Sequence, residues 1–204
     1  RYSSSAASDV YKRQGLREDC FNRTYFEAWK SGRTGYPMID ACMRFLTATG
    51  WLNFRMRALL ISFSSQHLWL HWREPSVHLA GLFTDYEPGI HYSQTQMQSG
   101  TTGINTIRIY NPIKQGLDQD PKGRFVRQWV PELKDIDQEF IHTPWLSPNR
   151  PKGYPPPIVD EKTSRQMASK KLYAVKGKPE HKEIARKVYV KHGSRKGRPT
   201  IKRN

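Results

Sequence analysis

The chain has 204 residues, with 34 Lys+Arg against 18 Asp+Glu for a net charge of +16. Hydrophobic residues make up 36% and aromatics 12%, with 6 Trp, too aromatic for a simply disordered basic chain. Two Cys, no apolar run of membrane-span length and no secretory pattern argue against a disulfide scaffold, a membrane protein and a secreted one. An intracellular, cytoplasmic protein that meets a polyanion is the expectation.

The first segment, RYSSSAASDVYKRQ (residues 1–14), is rich in Ser and Ala and lacks core periodicity. It reads as a non-native scar ahead of a domain spanning 15–145, so that the natural protein would begin further upstream. Helical spacing then dominates residues 36–83. Pro37 suits a first turn, followed by Met38, Ile39, Ala41, Cys42, Phe45 and Leu46, with Gly50 interrupting. A second, buried helix carries Leu52, Met56, Leu59, Leu60 and Phe63, is continued by His67–Trp72, and is ended by Pro75. Val77–Phe83 makes another short helix. The polar segment TDYEPGIHYSQTQMQSG (84–100) reads as a long loop of functional type. The best strand candidate, Thr106–Tyr110, is short, so an all-α fold is expected.

Charge divides the chain. From Leu146 onward there are 17 Lys+Arg and four acids, a net of +13, which leaves the first 145 residues at only +3. The tail, 146–204, opens on the proline-rich SPNRPKGYPPP, has helix-like stretches at Lys162–Tyr173 and Pro179–Lys191, and closes on KHGSRKGRPTIKRN. It reads as a Pro-rich linker and a basic, partly disordered end, suited to phosphate contact or simply to solvation.

Common catalytic patterns (GxSxG, a P-loop, paired CxxC, HExxH) do not occur. His67 and His71 stand at i, i+4 but lack a third metal ligand nearby in sequence, so no metal is expected. Arg55 and Arg57 lie on the apolar second helix, where an arginine needs an anionic partner. Asp85, Glu87 and His91 follow in the polar segment. An arginine–carboxylate pair there either braces two segments or holds the edge of a planar heterocycle.

The motifs AWKSGRTGYPMIDACMRFLTATGW (28–51), RIYNPIKQG (108–116), DPKGRFVRQWVPEL (120–133) and YPPPIVD (154–160) together resemble the FAD-binding domain of the cryptochrome/photolyase family. The resemblance covers roughly residues 26–160 and implies the C-terminal portion of a helical domain, with FAD as chromophore and damaged DNA as partner. In photolyases the excited, reduced flavin donates an electron to a flipped-out pyrimidine dimer; cryptochromes use similar photochemistry for signalling. Carried over by position, Trp51, Phe54 and Arg55 would line the flavin and substrate cavity. Arg57 would pair with a flavin-contacting aspartate, matched by Asp85, with Glu87 as the second acid and His91 near flavin N5. A shift of that segment by two residues would place Asp85 at the second acid and Gly89 near N5. Gln115 and Arg108 would face DNA.

This chain also departs from the photolyase pattern. It reads GWLNFRMRA (50–58) where photolyases read GWxHNRxRM, so Phe54 and Ala58 replace Asn and Met. Thr95–Met97 or Ser93–Thr95 replaces the WQW segment, which removes the flavin-proximal tryptophan under either alignment. Trp72 matches the middle tryptophan of that electron-transfer chain, and Trp69 is expected one helical turn before it. The upstream phosphate-holding loop and the antenna domain implied by the family are not in this sequence. The expectation is therefore a piece of a divergent photolyase-like flavoprotein, with dimer repair as the leading activity. The alternatives are a repair-inactive blue-light receptor and a cofactor-free basic module that binds nucleic acid.

Overall fold

A computed structural model of the chain describes Arg17, residues 21–101 and residues 107–176. Eight α-helices occur there, and no strand among the described residues, in line with the all-α expectation. The helices are α1 (Arg23–Lys30), α2 (Pro37–Thr49), α3 (Phe54–Ser62), α4 (Arg73–Ala80), α5 (Pro88–Gln98), α6 (Pro112–Gln119), α7 (Arg124–Trp129) and α8 (Glu161–Lys176).

Helix α2 forms where its sequence starts and stops it. Pro37 occupies the first turn, and Gly50 ends the helix in the left-handed region at φ 72°, its N–H closing on the Leu46 carbonyl, a conformation only glycine adopts cheaply. Its apolar residues Met38, Ile39, Cys42, Met43 and Leu46 are buried in the main core with Trp29 of α1 and Leu59 and Leu60 of α3. A second core joins Ala41 on α2 to Val126 on α7 and to Leu133, Ile141 and Tyr154.

Helix α3 starts at Asn53, whose side chain accepts the Met56 N–H. It does not run on to Trp72. It widens into a π-helical turn, Phe63–His67, and stops. Pro75, expected to end a helix, lies instead in the first turn of α4, where a proline costs little. The segment 84–100 differs most from expectation. Thr84 and Asp85 form a turn; Pro88 opens α5, and the Glu87 carboxylate caps it by accepting the Ile90 N–H at 2.7 Å. An acid followed by proline is a helix start, and the polarity of the segment masked it.

The proline-rich segment packs on α2. The buried Asp40 carboxylate accepts the N–H groups of Thr34 and Gly35, the Thr34 hydroxyl, and the Tyr154 hydroxyl at 2.6 Å. Ile158 N–H donates to the Thr34 carbonyl, and the Tyr36 hydroxyl to that of Val159. Gly35, at φ 80°, sits against the Pro156 backbone, where any side chain would collide. Helix α8 then buries Ala168 and Leu172 and packs along the π-turn. Residues 1–16, Thr106 and the stretch Pro179–Lys191 lie outside the described residues.

Candidate functional site

A cavity of about 390 Å³ opens between α3, the α4–α5 link and α5, a size suited to a compact ligand. Ala58, Ile61, Leu79 and Phe83 make apolar walls, while Arg57, Asp85, His91 and Gln94 contribute polar groups. This is the chemistry of a pocket for a flat ring: apolar faces with a polar edge.

Arg57 is held at three points. Its Nε donates to the Leu52 carbonyl at 2.6 Å, its Nη2 donates to both Asp85 oxygens at 2.8 and 2.9 Å, and its plane lies over the Phe83 ring at 4.0 Å. The second guanidinium nitrogen, Nη1, remains as a donor to a ligand. Asp85 is 51% exposed, so the pair adds little to stability. The Arg57 hydrogen bond holds the Asp85 carboxyl below its ordinary pKa. Arg57 and Asp85, paired by position in the first of the two sequence registers, meet in the structure.

His91 projects from α5 to Ser76 on α4, its Nε2 donating to the Ser76 carbonyl at 2.8 Å. That contact fixes the tautomer, because a carbonyl only accepts, and leaves Nδ1 as the acceptor nitrogen. Burial, and then the Arg57 cation, hold the imidazole below its ordinary pKa against the pull of the Ser76 carbonyl, so the ring is neutral at pH 7. Gln94 also lines the cavity, and its Oε1 is buried with no hydrogen-bond partner. An orphaned buried acceptor is costly unless a ligand donor meets it.

Other candidate residues lie at the rim or away from the cavity. Trp51 and Phe54 line the mouth and are 50% and 60% exposed. Glu87 reaches the cavity rim while capping α5. Arg55, expected on the cavity side, is exposed and absent from the lining, because α3 turns it away from the wall that Phe54, Arg57 and Ala58 make. Gln115 is 9% exposed with an unpartnered Oε1, and Arg108 is exposed.

Trp72 is buried at the start of α4, outside the cavity lining. Trp69 is not a helical turn before it. It occupies the left-handed region at φ 53°, a strained position for a tryptophan, with the Arg17 guanidinium at 4.3 Å and the Lys171 ammonium at 4.7 Å over its ring. Composition and periodicity gave no sign of Gln94, which reaches the cavity because α5 is a helix, or of Leu79 on α4 and Tyr86 on the α4–α5 link.

Comparison with known proteins follows the same geometry. Residues 3–174 match the family model described as the FAD binding domain of DNA photolyase. A deoxyribodipyrimidine photo-lyase of Escherichia coli is 36% identical over 149 residues, covering 71% of this chain and 32% of that protein. Cryptochrome-2 of Arabidopsis thaliana is 37% identical over 158 residues, covering 72% and 26%. The chain belongs to the FAD-binding domain family of DNA photolyase.

Among solved structures, an archaeal photolyase from Sulfolobus tokodaii, described with two FAD molecules, superposes with a TM-score of 0.75 at 36% identity, over 80% of this chain and 37% of that one. A bacterial class III photolyase from Agrobacterium tumefaciens gives 0.74 at 33% identity, over 83% and 37%. The chain spans about a third of the length of the first of these relatives. FAD is the cofactor of the family domain. The residues here fit its ring system, since apolar walls meet an unpartnered Gln94 acceptor and a spare Arg57 donor on one cavity. No helix among the described residues is long and apolar enough to cross a membrane.

Proposed function

We propose that this chain is the flavin-holding part of a light-driven enzyme that repairs damaged DNA, pyrimidine dimers being the substrate class. Bound in the cavity, FAD supplies light-driven one-electron transfer. Arg57 places the ring edge through Nη1, with Asp85 and the Leu52 carbonyl keeping the guanidinium in one orientation. His91 offers an acceptor at Nδ1, and Gln94 one at Oε1. The apolar walls exclude water from the ring faces.

One observation carries the preference for DNA over signalling: Trp51 and Phe54 stand half or more exposed on the cavity mouth. Large aromatic rings in solvent at a pocket entrance suit the stacking of an unpaired base. Residues 177–204 carry ten Lys+Arg against two acids, a net of +8, which suits contact with the flanking phosphates.

The test uses the purified protein. It should carry flavin, and blue light with a reductant should restore dimer-containing DNA. Arg57→Leu should lower flavin retention about tenfold or more, while unchanged retention would remove Arg57 from the role. Bound flavin without dimer reversal would transfer the reading to a photoreceptor. A colourless protein that still binds DNA would leave the cofactor-free basic module.

A further inference from the structure

An aromatic path leads inward from the cavity wall. Tyr86 lines the cavity. Its ring centroid is 6.3 Å from that of Tyr92, and Tyr92 is 6.4 Å from the buried Trp72, both pairs edge to face. Tyr86 sits on the α4–α5 link, Tyr92 on α5 and Trp72 at the head of α4, so three elements bring the rings into series. The cavity face of α5 (His91, Gln94, Thr95 and Gln98) offers no readily oxidised ring.

We propose that Tyr86, Tyr92 and Trp72 form the electron relay of this cavity, with Tyr92 as the indispensable middle station. The inference rests on the flavin reading above. With flavin bound, Tyr86 would be the ring placed to supply one electron to the photo-excited oxidised cofactor, Tyr92 would be placed to refill Tyr86, and Trp72 to refill Tyr92. A phenol that keeps its proton is harder to oxidise than an indole, so the vacancy runs downhill to Trp72. The Trp72 Nε1 is buried with no hydrogen-bond partner, so the indole keeps its proton there and the net step moves one electron and no proton. A thiolate in solution returns the electron, and two of the resulting thiyl radicals couple to a disulfide.

Two other tryptophans are nearby and neither serves. Trp69 carries two cations over its ring, at 4.3 and 4.7 Å, and neighbouring positive charge opposes the removal of an electron. Trp51 is half exposed at the mouth. It leads to no inner aromatic among the described residues, so a vacancy there cannot move away from the cavity.

Transient absorption after a blue flash on the flavin-loaded protein tests the relay. A long-lived indole radical cation is expected. Its yield should fall about tenfold or more in Tyr92→Phe and Trp72→Phe, and should persist in Trp69→Phe, with flavin content measured in every variant. Wild-type yield in Tyr92→Phe at normal flavin content would overturn the relay and leave the flavin reading standing. Loss of the signal in Trp69→Phe would also overturn it. A protein that binds no flavin would bring down both.

Discussion

Asp40 shows how a single side chain can hold distant parts of the chain together. Its carboxylate is fully buried and accepts four hydrogen bonds, one of them from Tyr154, 114 residues away. Burial alone pushes its pKa up, and the four donors pull it back. Asp40→Asn would turn an amide N–H₂ toward donors, so a loss of about 2–4 kcal/mol is expected in denaturant unfolding. His67 gives a second prediction at this scale. It stacks on Phe63 at 5.2 Å, and burial, with the Arg165 charge, lowers its pKa from 6.5 to about 4. The nearby Glu161, 3.8 Å away, therefore faces a neutral ring at pH 7. The unfolded chain binds the proton more readily than the folded one. The stabilisation is complete above pH 6.5 and is lost as pH falls toward 4. The melting temperature should fall across that window, and the slope should be shallower in His67→Leu. His78, His91 and His142 are lowered as well and supply the slope that remains.

At the scale of elements, α5 decides the site. It brings His91, Gln94 and Thr95 to one wall and puts Tyr92 between Tyr86 and Trp72. Its start depends on the Glu87 cap and on Pro88. Glu87→Ala should cost about 1 kcal/mol, and faster hydrogen exchange should appear first at the Ile90 and His91 amides; unchanged exchange there would show that tertiary contacts alone set the helix start. The π-turn Phe63–His67 is the other decisive element. It ends α3 early, offers Gln66 to the Gln98 carbonyl and to Arg17, and receives α8. Such turns recur at functional sites. The helical spacing of Leu59, Leu60 and Phe63 continues smoothly to His67 in sequence, so nothing in the pattern marks the widening.

For the whole molecule, the proline-rich segment and α8 are parts of the packed body, through Tyr154, Ile158, Ala168 and Leu172. The basic run is therefore best removed after Lys176. That truncation should leave the melting temperature nearly unchanged while weakening DNA binding and flattening its dependence on salt. Truncation after Trp145 should instead destabilise the core, because it takes away the Tyr154 hydroxyl from Asp40 and uncovers the π-turn. Thermal melts and salt titrations of the two truncations separate folding from phosphate contact, and equal DNA affinity in the shorter cut would refute the role of residues 177–204.

Much was legible from the linear order of residues. Pro37 and Gly50 bracket α2, apolar spacing marks α2 and α3 as core, and Arg57 on an apolar helix demands an anion, which Asp85 supplies. The long motifs carry the family resemblance in the linear sequence itself, because such strings encode local turns and packing together. What the sequence could not determine depends on contacts between segments far apart in the chain. Arg55 and Arg57 look alike on a line, yet the direction of α3 against α5 turns one to solvent and the other into the cavity. Trp69 and Trp72 look equivalent as well, until Arg17 and Lys171 settle on one and Tyr92 on the other. Local sequence sets which helices form; only their packing sets which charges and rings meet, because those distances arise when the helices are docked.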